Sequence, residues 1–90
     1  MRQTGGVHLL KELRSREKVI GVKQSRRAIR EGRARQVFLA CDADPALTGP
    51  LLAQCREKTV PVESGCTMRE LGQAAGIQVG AAVVVLLEDR

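Results

Sequence analysis

Five side chains able to bind anions or read hydrogen-bonding edges, Lys23, Gln24, Arg26, Arg27 and Arg30, follow Gly21 in close succession. An α-helix turns about 100° per residue. On that wheel Ser25, Ala28 and Ile29 share a face that can be buried, and the five polar residues spread over the rest. Lys23 and Gln24 fall in the first turn, where backbone amides lack intrahelical partners and carry partial positive charge. Cations gain nothing from the helix dipole at that end, so their placement needs another reason. A bound anion supplies one, because a helix N-terminus is a ready anion site. An arginine-rich helix is more often simply a solvated face. Gln24 argues for more, since its amide both donates and accepts and suits base edges as well as phosphates.

The distribution of charge points the same way. The chain has 90 residues, with 15 basic and 10 acidic side chains. Residues 1–35 hold eleven Lys/Arg against three acids, a net +8, whereas residues 36–90 hold four against seven, a net −3. One half of a single compact domain is therefore strongly positive, which suits a polyanion, and nucleic acid is the commonest. Phe38 is the only aromatic residue. Single-strand binders stack bases on aromatic platforms, so an RNA partner here would be a structured fold read through phosphates and base edges.

Catalytic constellations are missing. With His8 as the only histidine there is no Ser-His-acid set, and the sequence contains neither a P-loop nor GxGxxG. Asp42 and Asp44 flank a turn after a strand, where aspartate more often bonds the backbone than a cation. Cys41 lacks a base to activate it and is assigned to core packing. Cys41, Cys55 and Cys66 are odd in number and show no CxxC spacing, so neither a disulfide framework nor a zinc site is expected. Reduced thiols in a cytoplasmic protein are the expectation, with no metal and no cofactor. No apolar stretch approaches the roughly 20 residues needed to span a bilayer, and no signal-peptide core follows Met1.

The elements that must position these residues alternate between helix and strand. A first helix is expected from about residues 4–7 to residue 14, with Val7, Leu10 and Leu13 on its apolar face and His8 as a surface or partly packed residue. Residues 19–20 form a short strand ending at Gly21. The basic helix covers residues 23–31, and Gly32 stops it. Residues 36–41 form a strand, and residues 42–45 turn. The next helix is read with Thr48 as N-cap, Pro50 in its first turn and Leu51, Leu52 and Cys55 facing inward. Residues 60–63 form a strand whose proline puts it at an edge. Thr67 and Glu70 match a capping box opening a helix with Met68, Leu71 and Ala75 in the core, ended by Gly76. The last strand, residues 82–87, is apolar on both faces and belongs in mid-sheet. The whole is a three-layer α/β/α sandwich with a mixed sheet of about four strands and four helices. Gly76, Ile77, Gln78, Val79, Gly80 and Ala81 form a small apolar loop before the last strand. Periodicity alone fits a plain connector and a functional loop beside the basic helix tip equally well.

Four segments together resemble one family. They are Gly21-Val22-Lys23-Gln24-Ser25-Arg26-Arg27-Ala28-Ile29, Ala40-Cys41-Asp42-Ala43-Asp44-Pro45, Val60-Pro61-Val62, and the run from Glu70 to Ala82. In this order and spacing they are similar to the ribosomal protein L7Ae family, in particular its small bacterial members. The resemblance implies a non-catalytic, monomeric protein that recognises kink-turn RNA, a duplex bent sharply at a bulge beside tandem sheared G·A pairs, in ribosomal RNA or an mRNA element, and that associates with the ribosome. It assigns RNA contacts to Lys23, Gln24 and Arg27, and to Gln78, Val79, Gly80 and Ala81 near the bulged nucleotides; Gly21, Arg26 and Arg30 join the expected RNA-binding set from the glycine turn and the basic helix face. Lys23-Gln24 stands where archaeal and eukaryotic relatives carry Asn-Glu; it keeps hydrogen bonding towards guanine edges but removes the carboxylate acceptor. Cys41 departs from the acidic residue common before the aspartate, so no contact is carried over to it. Two other readings stay open: an interaction or assembly module on the same fold with weak RNA binding, and a recognition domain related to those fused to RNA-modifying enzymes.

Overall fold

A computed structural model describes residues 17–88. The helix expected over residues 4–14 lies outside them. In chain order the elements are β1 (Lys18–Ile20), α1 (Val22–Arg30), β2 (Ala34–Leu39), α2 (Pro45–Lys58), β3 (Val62–Glu63), α3 (Met68–Ala75) and β4 (Val83–Leu87). The strands form one mixed sheet in the order β1-β4-β2-β3. β4 runs antiparallel to both β1 and β2, and β3 is parallel to β2 at the edge.

Both faces of the sheet are covered, which is why β2 and β4 read as continuous apolar runs rather than alternating ones. Val37, Leu39, Val83 and Val85 pack against Ala28 and Ile29 of α1 and Leu51 and Cys55 of α2. Phe38, Val84 and Leu86 face the other way, against Leu71 and Ala75 of α3. The three-layer sandwich expected from the sequence is the architecture found, with three helices among the described residues.

Several details differ from the sequence reading. β3 holds only Val62 and Glu63, so Pro61 lies just before it, although the strand is at the edge as expected. β2 begins at Ala34 rather than at residue 36, because Ala34 pairs with Leu87 across a register shift between Ala34 and Gln36. It also ends at Leu39, so Cys41 falls in the following turn and is exposed rather than packed in the core. Its N–H donates to the Cys66 carbonyl instead of continuing the ladder. Finally, α2 starts at Pro45 with Asp44 as N-cap, whose Oδ1 accepts from Ala46 N at 2.9 Å. Proline in the first position, pre-set in φ and lacking only an N–H that would be unpaired anyway, makes Asp44-Pro45 the stronger start signal. Thr48 and Pro50 therefore lie inside the helix. Burial raises the Cys55 and Cys66 thiols above their ordinary range, as expected of packed, unreactive cysteines.

Candidate nucleic-acid interface

The start of α1 is built by one backbone conformation. Gly21 has φ 102° and ψ 158°, a region only glycine enters readily. In that conformation its N–H donates to Val83 O at 3.1 Å and its carbonyl accepts from Ser25 N at 3.0 Å. The first bond ties the helix tip to the beginning of β4, and the second closes the first turn. A Cβ at Gly21 would meet no atom within 4 Å, so the angle and not space demands glycine. Gly21 offers no side chain to cap the helix, and no acid stands in the first turn. The first-turn amides thus face outward with their partial positive charge uncompensated by a local carboxylate.

Ser25, Ala28 and Ile29 are buried, as the helical wheel requires, while Lys23, Gln24, Arg26, Arg27 and Arg30 are exposed. These five residues and Glu31 line an open depression of about 460 Å³. Glu31 was not among the residues singled out from the sequence. Its Oε2 accepts from Arg27 Nε at 3.1 Å, and its Oε1 lies 3.7 Å from Arg33 Nε. The hydrogen bond from Arg27, reinforced by the charges of Arg27, Arg33 and Arg30, holds the Glu31 carboxyl below the usual carboxylate range. On the flank of the helix, Gln54 Nε2 donates to Arg26 O and locks α2 to α1.

The loop after α3 is laid directly on that helix. Gly76, at φ 85°, ends α3 in the left-handed region, and Ile77 N donates to Gly72 O, a common way to satisfy the last carbonyls. Ala81 N then donates to Met68 O at 3.0 Å, which brings the loop back over the start of the helix. Gly72 makes the approach possible, since a Cβ there would sit 2.1 Å from the Val79 carbonyl oxygen. The capping box is complete, with Glu70 N donating to Thr67 Oγ1 and Thr67 N to Glu70 Oε1. Asp42 Oδ1 accepts from Met68 N at 2.8 Å, so the aspartate turn fastens to the same helix end. Among the described residues, no group of three or more His, Cys, Asp or Glu is placed to hold a metal.

Val79 is 70 % exposed, unusual for an apolar side chain, and Gln78 and Gly80 are exposed beside it. They border a second depression of about 640 Å³ with Met68, Arg69 and Gln73. Ala81 is different: its side chain is buried in the core beneath α3, so it anchors the loop and presents no surface. The helix tip and the loop lie at the same end of the sheet, because Gly21 bonds Val83 and Ala40 N bonds Ala82 O, at the start of β4. They remain two neighbouring depressions rather than a single groove. Gly72 and Arg69 were missed from the sequence. A glycine inside a helix costs about 1 kcal/mol relative to alanine, and that misfit was the available signal for Gly72.

Residues 7–90 match the ribosomal protein L7Ae/L30e/S12e/Gadd45 family. The chain belongs to this family. Among L7Ae-family relatives, a protein named RNA-binding protein from Geobacillus sp. (strain WCH70) is 42 % identical over 77 residues, covering 86 % of this chain and 94 % of the relative. RNA-binding protein YbxF from Geobacillus stearothermophilus is 44 % identical over the same length and coverage. Of solved structures, the Giardia lamblia 15.5kD RNA binding protein superposes with a TM-score of 0.89 over 99 % of this chain and 78 % of its own, at 22 % identity. That likeness establishes the fold of this L7Ae-family member. Among its described residues, no helix is long and apolar enough to cross a membrane.

Proposed function

We propose that this L7Ae-family protein is a non-catalytic RNA-binding module of the cytoplasm. In this reading it recognises kink-turn RNA as a monomer and associates with the ribosome. The observation that carries the reading is the Gly21–Val83 hydrogen bond. It holds an uncapped basic helix tip beside a loop with an exposed apolar residue, at one end of a rigid sheet. Lys23, Arg26 and Arg30 supply phosphate contacts, and Gln24 and Arg27 read base edges. Gln78, Val79 and Gly80 let the backbone approach the bulged nucleotides. Relatives at 42–44 % identity that carry the name RNA-binding protein support the RNA-binding part of this reading.

A gel shift with a standard kink-turn and a variant whose G·A pairs are disrupted tests this directly. Preference for the intact RNA is expected. Equal, weak binding to both would instead favour a protein-assembly role on the same fold. Co-sedimentation with ribosomes checks the cellular association.

Two further outcomes follow from the charge and chemistry of α1. Phosphate contacts release counterions, so log affinity falls by roughly 0.7–0.9 per neutralised phosphate for each tenfold rise in salt. Titrations at low and moderate salt should show a clear loss, and a flat series would remove the electrostatic part of the reading. Gln24→Ala should cost about 1–3 kcal/mol against the intact kink-turn and less against the disrupted one, because a lost base contact matters only where the base is presented. An unchanged ratio between the two RNAs would assign base reading elsewhere.

A further inference from the structure

We propose that Glu31 is a positioning residue, holding the Arg27 guanidinium in the orientation in which it meets RNA. The inference rests on the reading that α1 binds RNA. Glu31 is the only acidic residue between Lys18 and Arg35, and it lines the basic depression together with five residues of α1. An anion on a phosphate-binding surface weakens attraction, so its presence there calls for a compensating role.

Helix stability does not supply one. Glu31 is the C-cap of α1, the end where the helix dipole disfavours a carboxylate. Its pairing with Arg27 runs in the order base then acid at i,i+4, the weaker of the two arrangements. Both partners are solvated, with side-chain exposures of 67 % and 38 %, and pairs of this kind contribute little to folding.

The geometry fits positioning instead. Arg27 reaches Glu31 through Nε. A bond at Nε fixes the plane of the guanidinium and leaves the Nη donors available for a two-pronged contact with a guanine edge or a phosphate. The other carboxylate oxygen lies towards Arg33, on the far side of the Gly32 turn. The carboxylate is thereby held between two cations. A preset guanidinium loses less rotamer freedom when RNA arrives, which is how pre-organisation raises affinity.

Binding titrations of the full chain with the kink-turn and its G·A-disrupted variant test the proposal. The proteins compared are the parent, Glu31→Ala, Glu31→Gln, Arg27→Ala and the Glu31→Ala/Arg27→Ala double variant, with circular dichroism confirming the fold of each. Glu31→Ala should weaken the intact kink-turn by roughly two- to fivefold, the range of an exposed ion pair, and lower its preference over the disrupted RNA. Glu31→Gln, still able to accept from Arg27 Nε, should recover most of that loss although it too lacks the charge. With Arg27 already removed, Glu31→Ala should cause no further loss. Tighter or unchanged binding by Glu31→Ala would overturn the proposal, as would a Glu31→Gln variant no better than Glu31→Ala. A parent protein that does not prefer the intact kink-turn overturns the functional reading itself, and the role of Glu31 falls with it.

Discussion

Val79→Asp should abolish kink-turn binding while the domain stays folded. The substitution is cheap for the fold because Val79 is 70 % exposed and the core does not depend on it; surface changes of this kind usually shift stability by no more than about 0.5 kcal/mol. Its effect on RNA is large because it places a carboxylate where the proposed interface brings phosphates. Two like charges about 4 Å apart repel by about 4 kcal/mol at the effective dielectric of a protein surface. That corresponds to a loss of roughly two to three orders of magnitude in affinity. Val79→Asn, similar in size but neutral, separates charge from shape and should stay within about tenfold of the parent. Circular dichroism reports folding and a binding titration reports affinity. A folded Val79→Asp protein that binds like the parent would reduce the loop to a connector.

Most of the scaffold was legible because its signals are local. The wheel of Ser25, Ala28 and Ile29 placed the buried face of α1 correctly. Thr67 and Glu70 announced the capping box, and Gly76 the helix end, because both features lie within a few residues of one chain segment. The apolar run at residues 82–87 identifies the strand, β4 from Val83 to Leu87, that lies between two others and under helices on both sides. Where local signals competed, the reading slipped. Asp44-Pro45 and Thr48 with Pro50 each offer a cap and a proline, and only the Asp44 Oδ1 bond to Ala46 N identifies the true start. The polar beginning of β2 carries no period-two pattern, since a register shift interrupts its pairing with β4.

The candidate site divides along the same line. The exposed cations of α1 follow from periodicity, whereas Val79 comes from the family resemblance alone, since periodicity leaves its loop undecided. Glu31 was hidden because a single acid in a basic run reads as dilution of charge, and its role appears only when Arg27 Nε is found 3.1 Å away. The apolar run from Val37 to Cys41 assigns Cys41 to the core; one lost ladder bond puts it in the turn. Ala81 was assigned to the interface because it belongs to the loop in sequence, whereas its side chain belongs to the core. Contacts between segments distant in the chain, which no local pattern encodes, account for Cys41 and Ala81; the Arg27–Glu31 pair is local, at i,i+4, and what the sequence does not give is its geometry.

Gly72→Ala is expected to damage both stability and RNA binding, against the direction that helix propensity alone would give. Alanine in a helix interior is favoured over glycine by about 1 kcal/mol. At this position the added Cβ would sit 2.1 Å from the Val79 carbonyl oxygen, 3.0 Å from the Val79 carbonyl carbon and 3.2 Å from Gly80 Cα. All three are backbone atoms, so no side-chain rotation relieves the clash, and the loop itself has to lift from α3. Overpacking of this kind costs about 1–3 kcal/mol, which exceeds the propensity gain over most of that range. The net loss of up to about 2 kcal/mol should lower Tm by several degrees in a domain of this size. The loop is held down on either side by Ile77 N to Gly72 O and Ala81 N to Met68 O, so its displacement concentrates at Gln78, Val79 and Gly80, the residues proposed to approach the bulged nucleotides. Kink-turn affinity should therefore fall by at least about tenfold even at temperatures where the variant is fully folded, since recognition geometry tolerates little misplacement. Gly49→Ala is the matched control: it also replaces a glycine within a helix, and its Cβ would meet nothing within 4 Å. It should hold or raise Tm and leave RNA affinity unchanged. If Gly72→Ala matched that control in both thermal melting and titration, the close seating of the loop on α3 would have no part in positioning Val79.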